Sequence, residues 1–376
     1  MVASNNTRVF YNLTENVGFN IQNDSVSGCQ NSSTETAAKI TAYSLLIFFS
    51  LVGNSLIIAC FVKNKELRTP VNYFILNMSI SDLCTPVFAL PRRLNWLIVG
   101  SSKWLVHGSI GSFLCKLLPF TEDVSTYVSK LSLVIIAVER FYSVVFALKS
   151  PLVTSKSCPR LIAFTWIISS VFSAHFLYTY RLIRTAKDEF MCLFRWDPVS
   201  HTAEAFKVQW IINFACFTVV PFILLTSLYT GIAVSLHRQK KSLQLANEVS
   251  KQRAKENRRI ACMLVVVWVV FLASYAPYHV HVFMYYLAPQ TDRPCSFQFT
   301  ADFSQFTYTA INPLIYYVFS TNYRHGINRL FCFGRKVGPL DCVTQKRKKH
   351  NSYNSQDIVP SRVSQGCNEA IELDSL

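Results

Sequence analysis

Long apolar runs constrain this chain more than any other feature of its sequence. Apolar residues cluster in runs of about 20 or more, separated by short polar stretches, and a helix needs roughly 20 such residues to cross a bilayer. Hydrophobic residues make up 51% of the chain and charged residues only 15%, whereas soluble domains carry about 25% charged residues. The 376 residues therefore predict a multi-pass membrane protein rather than two soluble domains.

The basic residues indicate how the chain is threaded through the membrane. A formal net charge of +16 would by itself also suit a nucleic-acid-binding protein. When seven helices are threaded in order, however, 24 of the 37 Lys and Arg residues fall on one side and 11 on the other. The richer side is expected to be cytoplasmic and to face anionic lipid and cytosolic partners. Nucleic acid is therefore not an expected partner.

The apolar run from Leu114 to Val145 is the most informative one because it also carries charges. At about 1.5 Å per residue, Cys115 and Arg140 lie roughly 37 Å apart, which is enough to cross the hydrocarbon core. Charged groups are costly in hydrocarbon and should face a protein interior or a water-filled cavity. We therefore expect an acidic pair beginning at Glu122 to face an outer cavity, and Glu139 to lie with Arg140 at the inner end.

The order of polar and apolar segments predicts four regions. These are an extracellular, glycosylated N-terminus (1–38), a seven-helix domain (39–321), an amphipathic helix on the inner leaflet (322–334) and a disordered cytoplasmic tail (335–376). Acceptor sequons predict glycosylation at Asn5, Asn12, Asn23 and Asn31. A further sequon at Asn77 lies inside a predicted helix and is not expected to be used. Cys332, near the end of the amphipathic segment, is a candidate for palmitoylation.

Several marks follow one another in a fixed order along the helices: Gly53-Asn54, Asp82, Cys115, Glu139-Arg140-Phe141, Trp166, Pro221 with Tyr229, Pro277, and Asn312-Pro313 with Tyr316. This set resembles the rhodopsin-like (class A) G-protein-coupled receptors from about Ile40 to Phe333, and the overall character is similar to neuropeptide receptors. The resemblance implies an all-α integral membrane fold, a seven-helix bundle with an eighth amphipathic helix, in the plasma membrane. The family's Asp-Arg-Tyr is Glu139-Arg140-Phe141 here, and Tyr275 replaces its usual helix-six tryptophan.

The resemblance implies an activation switch for a heterotrimeric G protein on the cytoplasmic side. Glu139 and Arg140 would pair in the resting state, and the freed arginine would meet the G protein. Without the family resemblance, the sequence is equally consistent with a snorkelling Arg140 that only marks the membrane boundary. The tail serines would recruit arrestin once phosphorylated. The residues of the implied switch are Glu139, Arg140, Tyr229, Phe271, Tyr275, Pro277, Asn312, Pro313 and Tyr316.

The cysteines on the outer side suggest two bridges. Cys115 and Cys192 resemble the family's disulfide, which would hold a long outer loop over the ligand cavity. Cys29 and Cys295 are left over on the same side, where disulfides persist, and a second bridge between them is expected.

Asp82 is a carboxylate in the middle of a predicted membrane span. With Ser129 and Asn312 it resembles the family's sodium site, to which Asn54 and Thr309 would add, because hard cations prefer oxygen ligands. The alternative is a protonated, hydrogen-bonded aspartate. Apart from a sodium ion as allosteric modulator, we expect no cofactor.

Ligand binding is predicted in a cavity at the outer ends of the helices. Acidic groups at this depth suit a basic ligand group, and paired arginines suit a carboxylate or an amide carbonyl. For each charged residue, a mutual salt bridge or snorkelling to the headgroups is the alternative. The candidates are Glu122, Asp123, Arg92, Arg93, Trp96, Gln209, Tyr278, His279, Asp302 and Phe306.

The favoured function is a receptor for an extracellular peptide, such as an amidated peptide with a basic residue near its end. A biogenic amine receptor, with Glu122 as counter-ion, is the alternative within the family, although its amine members usually have aspartate there. A retinal-binding receptor is disfavoured because no lysine stands between Phe297 and Phe319.

Two other classes of function fit the sequence less well than a receptor. A transporter or channel with a polar path through Asp82, Lys130 and Glu122 is the alternative from another class, but paired broken helices are not evident. An enzyme is not expected, since Walker, H-E-x-x-H and G-x-S-x-G motifs are missing from the sequence.

Overall fold

The computed structural model describes residues 32–99, 103–146, 152–185, 188–196, 202–243, 248–287 and 294–334. The chain divides into two units after Ile327, and every contact given below lies within the first. Of the second unit only residues 328–334 are described. The predicted glycosylation sites, Cys29 and the tail from residue 335 lie outside the described residues.

The described ranges contain eight long helices, α1 to α8, together with one short helix, one 3-10 turn and one hairpin. The helices are α1 (Ser33–Lys63), α2 (Pro70–Val99), α3 (Gly108–Val145), α4 (Cys158–Ser173), α5 (Thr202–Phe214, Ala215–Val219 and Val220–Leu243), α6 (Glu248–Leu287), α7 (Cys295–Ser304 and Tyr308–Phe319) and α8 (Thr321–Gly334). A short helix, His175–Thr179, follows α4, and a 3-10 turn, Lys65–Leu67, follows α1. Strands β1 (Tyr180–Arg184) and β2 (Phe190–Phe194) form the hairpin.

Five helices of the described part are long and apolar enough to cross a membrane by length and composition: Ser33–Lys63, Pro70–Val99, Cys158–Thr179, Glu204–Arg238 and Ala254–Tyr285. The other two helices of the predicted seven-helix bundle, α3 and α7, lack such a long uninterrupted apolar run, and the sequence of each shows why. α3 carries six charged residues, from Lys116 to Arg140, and α7 is interrupted between Ser304 and Tyr308. Both interruptions of the apolar pattern lie next to the candidate sites.

α3 lies at the centre of the bundle, where it contacts α2, α4, α5 and α6. Its buried side is lined by residues such as Leu133 and Ile136, which are fully shielded. Large apolar side chains on other helices, including Phe49, Ile167 and Ile223, are more than half exposed. Such a surface suits hydrocarbon rather than water.

Local sequence explains where several helices begin. Ser32 caps α1, because its hydroxyl accepts a hydrogen bond from the Glu35 amide (3.2 Å) while the Glu35 carboxylate accepts one from the Ser32 amide (3.0 Å). This capping box starts α1 at Ser33, before the predicted start of the seven-helix domain at residue 39. α2 begins with Pro70 at its first turn, where the missing N–H costs nothing. α6 begins at Glu248 and so includes the basic residues from Lys251 to Arg259.

Two widened turns accompany prolines inside helices, and neither was predicted. The π-helical turn Thr85–Ala89 in α2 contains Pro86, and Ala215–Val219 in α5 ends two residues before Pro221. A proline removes one i to i−4 hydrogen bond and its ring crowds the carbonyl four residues earlier. A wider turn relieves that crowding and shifts the register of the outer half of each helix.

Pro313 leaves the Thr309 carbonyl of α7 without its helical partner, and α1 supplies another. The Asn54 side-chain amide donates to the Thr309 carbonyl oxygen at 2.9 Å. Gly53 permits this approach, since a Cβ at that position would lie 2.9 Å from Pro313. The family pair Gly53-Asn54 therefore joins α1 to the proline-bearing part of α7.

The outer loop after α4 is an antiparallel hairpin, where the sequence had suggested only a charged loop. Tyr180 pairs with Phe194, and Leu182 with Cys192. Asp188, which has a left-handed backbone (φ 63°), turns the chain and forms an ion pair with Arg184. Cys115 and Cys192 are disulfide-bonded, with their Cα atoms 5.6 Å apart, which confirms the predicted bridge. Cys295 is also disulfide-bonded; its pairing with Cys29 stays a prediction.

Candidate functional site

A buried cluster of charges lies between α2 and α3 at their outer ends. Arg92 donates to Glu122 Oε2 at 2.6 Å, and Arg93 donates to Glu122 Oε1 at 3.4 Å. The three side chains are only 11–16% exposed. One carboxylate thus bridges two guanidinium groups, which is the mutual salt bridge left open by the sequence. Glu122 is consequently engaged and is not a free counter-ion for an amine.

Two other carboxylates of the same region are not engaged in this way. Within the described residues, no cationic group lies within 4.0 Å of the carboxylate of Asp123 or of Asp302. Asp123 Oδ2 is buried and accepts no hydrogen bond there. Unpaired carboxylates in a low-dielectric setting are attractive positions for a basic group.

These charges line an outer cavity of about 180 Å³. Nine of the ten predicted ligand-binding residues belong to its lining, namely Glu122, Asp123, Arg92, Arg93, Gln209, Tyr278, His279, Asp302 and Phe306. The tenth, Trp96, does not, because it lies about one helical turn beyond Arg92 toward the outer end of α2. Arg93 is stacked over the Phe306 ring at 5.7 Å, which ties α2 to α7 across the cavity.

The hairpin contributes the outer wall. Tyr180 and Phe194 both line the cavity and their rings meet edge to face at 5.5 Å. Burial raises the pKa of Tyr180, while the nearby Arg92 guanidinium lowers it. The disulfide from Cys192 to the top of α3 keeps this wall in place.

Helix six forms the inner wall through Tyr275. Its hydroxyl is 3.0 Å from Thr126 Oγ1, and the Lys130 ammonium lies 4.1 Å from the centre of its ring. Tyr275 also stacks on Phe271, which in turn stacks on Tyr308 of α7 (4.3 Å). The residue that replaces the family's tryptophan therefore connects α3, α6 and α7.

Sequence reasoning missed several lining residues. Thr126 and Lys130 follow Glu122 at intervals of four, so helical spacing from that residue would have found both. Trp210, which packs edge to face on Phe283 at 4.9 Å, also lines the cavity. Its orientation depends on the widened turn in α5 and could not be read from spacing.

Asp82 accepts two hydrogen bonds at the middle of the bundle. Ser129 donates to Oδ1 at 2.8 Å and Asn312 donates to Oδ2 at 2.9 Å, and Ser81 Oγ is 2.7 Å from Ser129 Oγ. The Asn312 side-chain oxygen is buried and has no partner among the described residues. A single carboxylate with hydroxyl and amide oxygens fits a monovalent hard cation. In the described part of the chain no three His, Cys, Asp or Glu residues form a metal-binding group.

At the inner end of α3, Arg140 forms a fork with its neighbour. Nε and Nη2 donate to the two carboxylate oxygens of Glu139 at 2.5 and 2.6 Å. The Tyr316 hydroxyl donates to Met78 Sδ instead (3.8 Å), and the Tyr229 hydroxyl has no partner among the described residues. The structure thus brings Glu139 and Arg140 together, but it does not join either tyrosine to the arginine.

Asn77 illustrates how a sequon can be unrelated to glycosylation. It is buried on α2 and accepts a hydrogen bond from the Trp166 indole at 2.9 Å, while its amide donates to Ser132 (2.9 Å). It links α2, α3 and α4, and a glycan cannot reach it.

Comparison with known proteins decides the family. The family model described as 7 transmembrane receptor (rhodopsin family) matches residues 53–316, which is more than half of the chain. This chain belongs to that receptor family. It is therefore a seven-transmembrane helical bundle of the plasma membrane, and a receptor rather than an enzyme.

This receptor is similar to several named members of the family. It is 26% identical over 302 residues to galanin receptor type 1 of Mus musculus, covering 79% of this chain and 82% of the relative. It is 26% identical over 365 residues to neuropeptide FF receptor 2 of Rattus norvegicus (90% and 85%). It is 28% identical over 323 residues to neuropeptide Y receptor type 2 of Cavia porcellus (82% and 81%).

Proposed function

We propose that this receptor binds an extracellular peptide in the outer cavity and transmits binding to a heterotrimeric G protein. The relatives are named for galanin, neuropeptide FF and neuropeptide Y; these differ from one another, and all three are peptides. The relatives thus support the class of ligand and leave its identity open. The N-terminus and the β1–β2 hairpin face the extracellular side in this proposal.

The observation that carries the proposal is the distribution of charge in the outer cavity. Glu122 is neutralised by Arg92 and Arg93, whereas Asp123 and Asp302 have no cation within 4.0 Å among the described residues. A basic side chain near the end of a peptide would pair with Asp302, and its terminal amide carbonyl would accept from the arginines. About 180 Å³ is below the usual 300–1,000 Å³ of a small-molecule site, so only one end of a peptide enters.

A peptide screen followed by a charge substitution tests this proposal. Amidated peptides with basic ends would be screened by nucleotide exchange on a promiscuous G protein. For a hit, Asp302→Asn should lower affinity about 10- to 100-fold, since a charged hydrogen bond is worth about 1.5–3 kcal/mol. An analogue with citrulline in place of arginine should bind both forms alike.

Asp188→Asn is the matched control, because Asp188 lies in the exposed hairpin turn, where its ion pair contributes little. It should leave the affinity unchanged. Equal losses for the arginine and citrulline peptides in Asp302→Asn would remove Asp302 as the counter-ion.

Transmission to the inner side is proposed as a population shift. The ligand binds better to an arrangement in which the cytoplasmic part of α6, before Pro277, has moved outward, and the Tyr275–Phe271 stack carries that preference across the membrane. Release of Arg140 from Glu139 then exposes a guanidinium to the G protein. Tyr229, Asn312, Pro313 and Tyr316 complete the proposed switch.

A sodium ion would act as a modulator of this equilibrium. Asp82, Ser129 and Asn312 would hold it. The bound ion would neutralise the negative charge of the buried Asp82 carboxylate, which is costly when it has no cationic partner. Ser129 and Asn312 orient the carboxylate in either case, through the hydrogen bonds already present.

The cytoplasmic end completes the proposal. α8 (Thr321–Gly334) would lie on the inner leaflet, because its sequence alternates bases and aromatics at helical spacing. Palmitate on Cys332 would anchor it, although the side chain of Cys332 lies outside the described part. Phosphorylated tail serines would recruit arrestin.

A further inference from the structure

A second cavity lies between α5 and α6, deeper in the membrane than the outer one. Its volume is about 300 Å³, within the range of small-molecule sites. The wall is almost entirely aromatic and aliphatic, and includes Phe217, Trp268, Val280 and Phe283. Val280 and Phe283 are 47% and 39% exposed on the outer surface of the bundle. The cavity therefore opens toward lipid between the two helices.

This cavity contains a cation that forms no salt bridge among the described residues, although the Asp123 carboxylate on the same helix acts on it from beyond 4.0 Å. Lys130 lines the cavity and is 94% buried. No carboxylate of the described residues lies within 4.0 Å of its ammonium group, and the contact it does make is with the Tyr275 ring. A buried charge left unpaired is strongly unfavourable, and a ring face offsets only a small part of that cost.

A second donor on the same wall also lacks a partner. The Trp268 indole nitrogen is buried and has no hydrogen-bond partner among the described residues. Lysine and tryptophan side chains donate only. A ligand group that pairs with either donor must therefore be an acceptor, and Lys130 favours one with a negative charge.

The depth of Lys130 restricts which anion can reach it. Ten residues separate Lys130 from Arg140, or about 15 Å of helix, and fifteen separate it from Cys115, or about 22 Å. Lys130 thus lies near the middle of the span. A phospholipid phosphate stays at the interface and is too far away, whereas the acid group of a single-chain molecule is free to enter.

We propose that this cavity binds a long-chain carboxylic acid from the bilayer, with its carboxylate on Lys130 and its chain along Phe217, Val280 and Phe283. The site is coupled to the outer one, because Lys130, Tyr275 and His279 line both cavities. A bound acid changes the position of Tyr275 and, by linkage, the affinity of the outer cavity for its own ligand. The proposal itself does not rest on the identity of that ligand.

Photolabelling of the full-length receptor in lipid nanodiscs tests the site without peptide or G protein. The probe is a C16 carboxylic acid with a diazirine in its chain, and labelled peptides are mapped by mass spectrometry. The matched C16 alcohol and the same chain carried on phosphatidylcholine are the comparison probes. The acid should label the α5 and α6 segments at least about tenfold more than either comparison probe.

Variants separate the charge from the shape of the cavity. Lys130→Met should reduce labelling by the acid to the level of the alcohol, and Lys130→Arg should retain it. Val280→Trp should block the opening, whereas Val269→Trp, an exposed valine of α6 outside the lining, should label like the native receptor. Lys116→Met controls for loss of a lysine from α3.

The proposal is overturned if the acid and the alcohol label the native receptor equally, or if the phosphatidylcholine probe labels as strongly as the acid. Native labelling of Lys130→Met would overturn it as well. Should Lys130→Met fail to fold, the probe comparison on the native receptor and the Val280→Trp result decide the question by themselves.

Discussion

Replacing Glu122 by glutamine should destabilise the receptor before it affects recognition of charge. The substitution keeps the size of the side chain and removes its negative charge. Arg92 and Arg93, which donate to the two Glu122 oxygens at 2.6 and 3.4 Å, then lose the only carboxylate with which either forms a salt bridge among the described residues. Removing one partner of a buried pair costs about 3–5 kcal/mol. Since glutamine still offers one acceptor oxygen, we expect about 3 kcal/mol.

Thermal unfolding of purified receptor measures this cost. At about 2 °C per kcal/mol for a chain of this size, Glu122→Gln should lower the Tm by about 6 °C. Removing one cation as well, in Glu122→Gln with Arg92→Gln, should recover part of the loss, because fewer unpaired charges remain. Glu189→Gln is the matched control. Glu189 forms an ion pair with Lys103 (3.1 Å), and both side chains are about 40% exposed. This ion pair should contribute at most about 1 kcal/mol to stability.

A different result would refute this account of the cluster. If Glu122 were a free counter-ion for the ligand, Glu122→Gln would keep the native Tm and lose affinity for basic peptides alone. The salt-bridge account predicts a lower Tm, and equal changes in affinity for basic and neutral peptides.

Three further substitutions test the other proposals. Arg140→Ala should abolish ligand-stimulated nucleotide exchange while surface expression persists, and unchanged exchange would reject the role of the arginine. Cys115→Ala should weaken ligand binding at least about tenfold, because the hairpin wall loses its bond to α3; the free Cys84 provides the control Cys84→Ala, which should bind normally. Asp82→Asn should remove the dependence of ligand affinity on sodium concentration, and a dependence that survives would show that sodium acts elsewhere.

The sequence predicted much of the bundle because its strongest patterns are local. Apolar runs, basic loops and ordered marks such as Asn312-Pro313 place the helices, and helical spacing places Glu122 at the outer cavity. The residues at which the helices begin and end were harder to predict from the sequence. The capping box at Ser32 extends α1. The break in α7 before Tyr308 is formed by hydrogen bonds between residues three apart, such as the one from the Thr307 amide to the Ser304 carbonyl (3.0 Å), and no residue pattern in the sequence predicts them.

Contacts between segments that are far apart in the chain could not be predicted from the sequence. The pairing of Glu122 with Arg92 and Arg93 depends on how α2 is rotated after its widened turn. The pairing of Tyr180 with Phe194 depends on a hairpin register that a charged loop does not reveal. Lys130 had no account from sequence alone, because its contact with Tyr275 depends on the packing of α3 against α6.

The fork between Glu139 and Arg140 joins two consecutive residues of one helix. Among the described residues, no group on α6 is bonded to this arginine, so a change of side-chain rotamer is enough to open the fork. In the proposed switch, the bonds that restrain the guanidinium therefore lie within α3, while movement of α6 opens the space that the G protein enters. Spontaneous signalling in the absence of any ligand should accordingly respond to substitution of one carboxylate, even where the occupied receptor responds little.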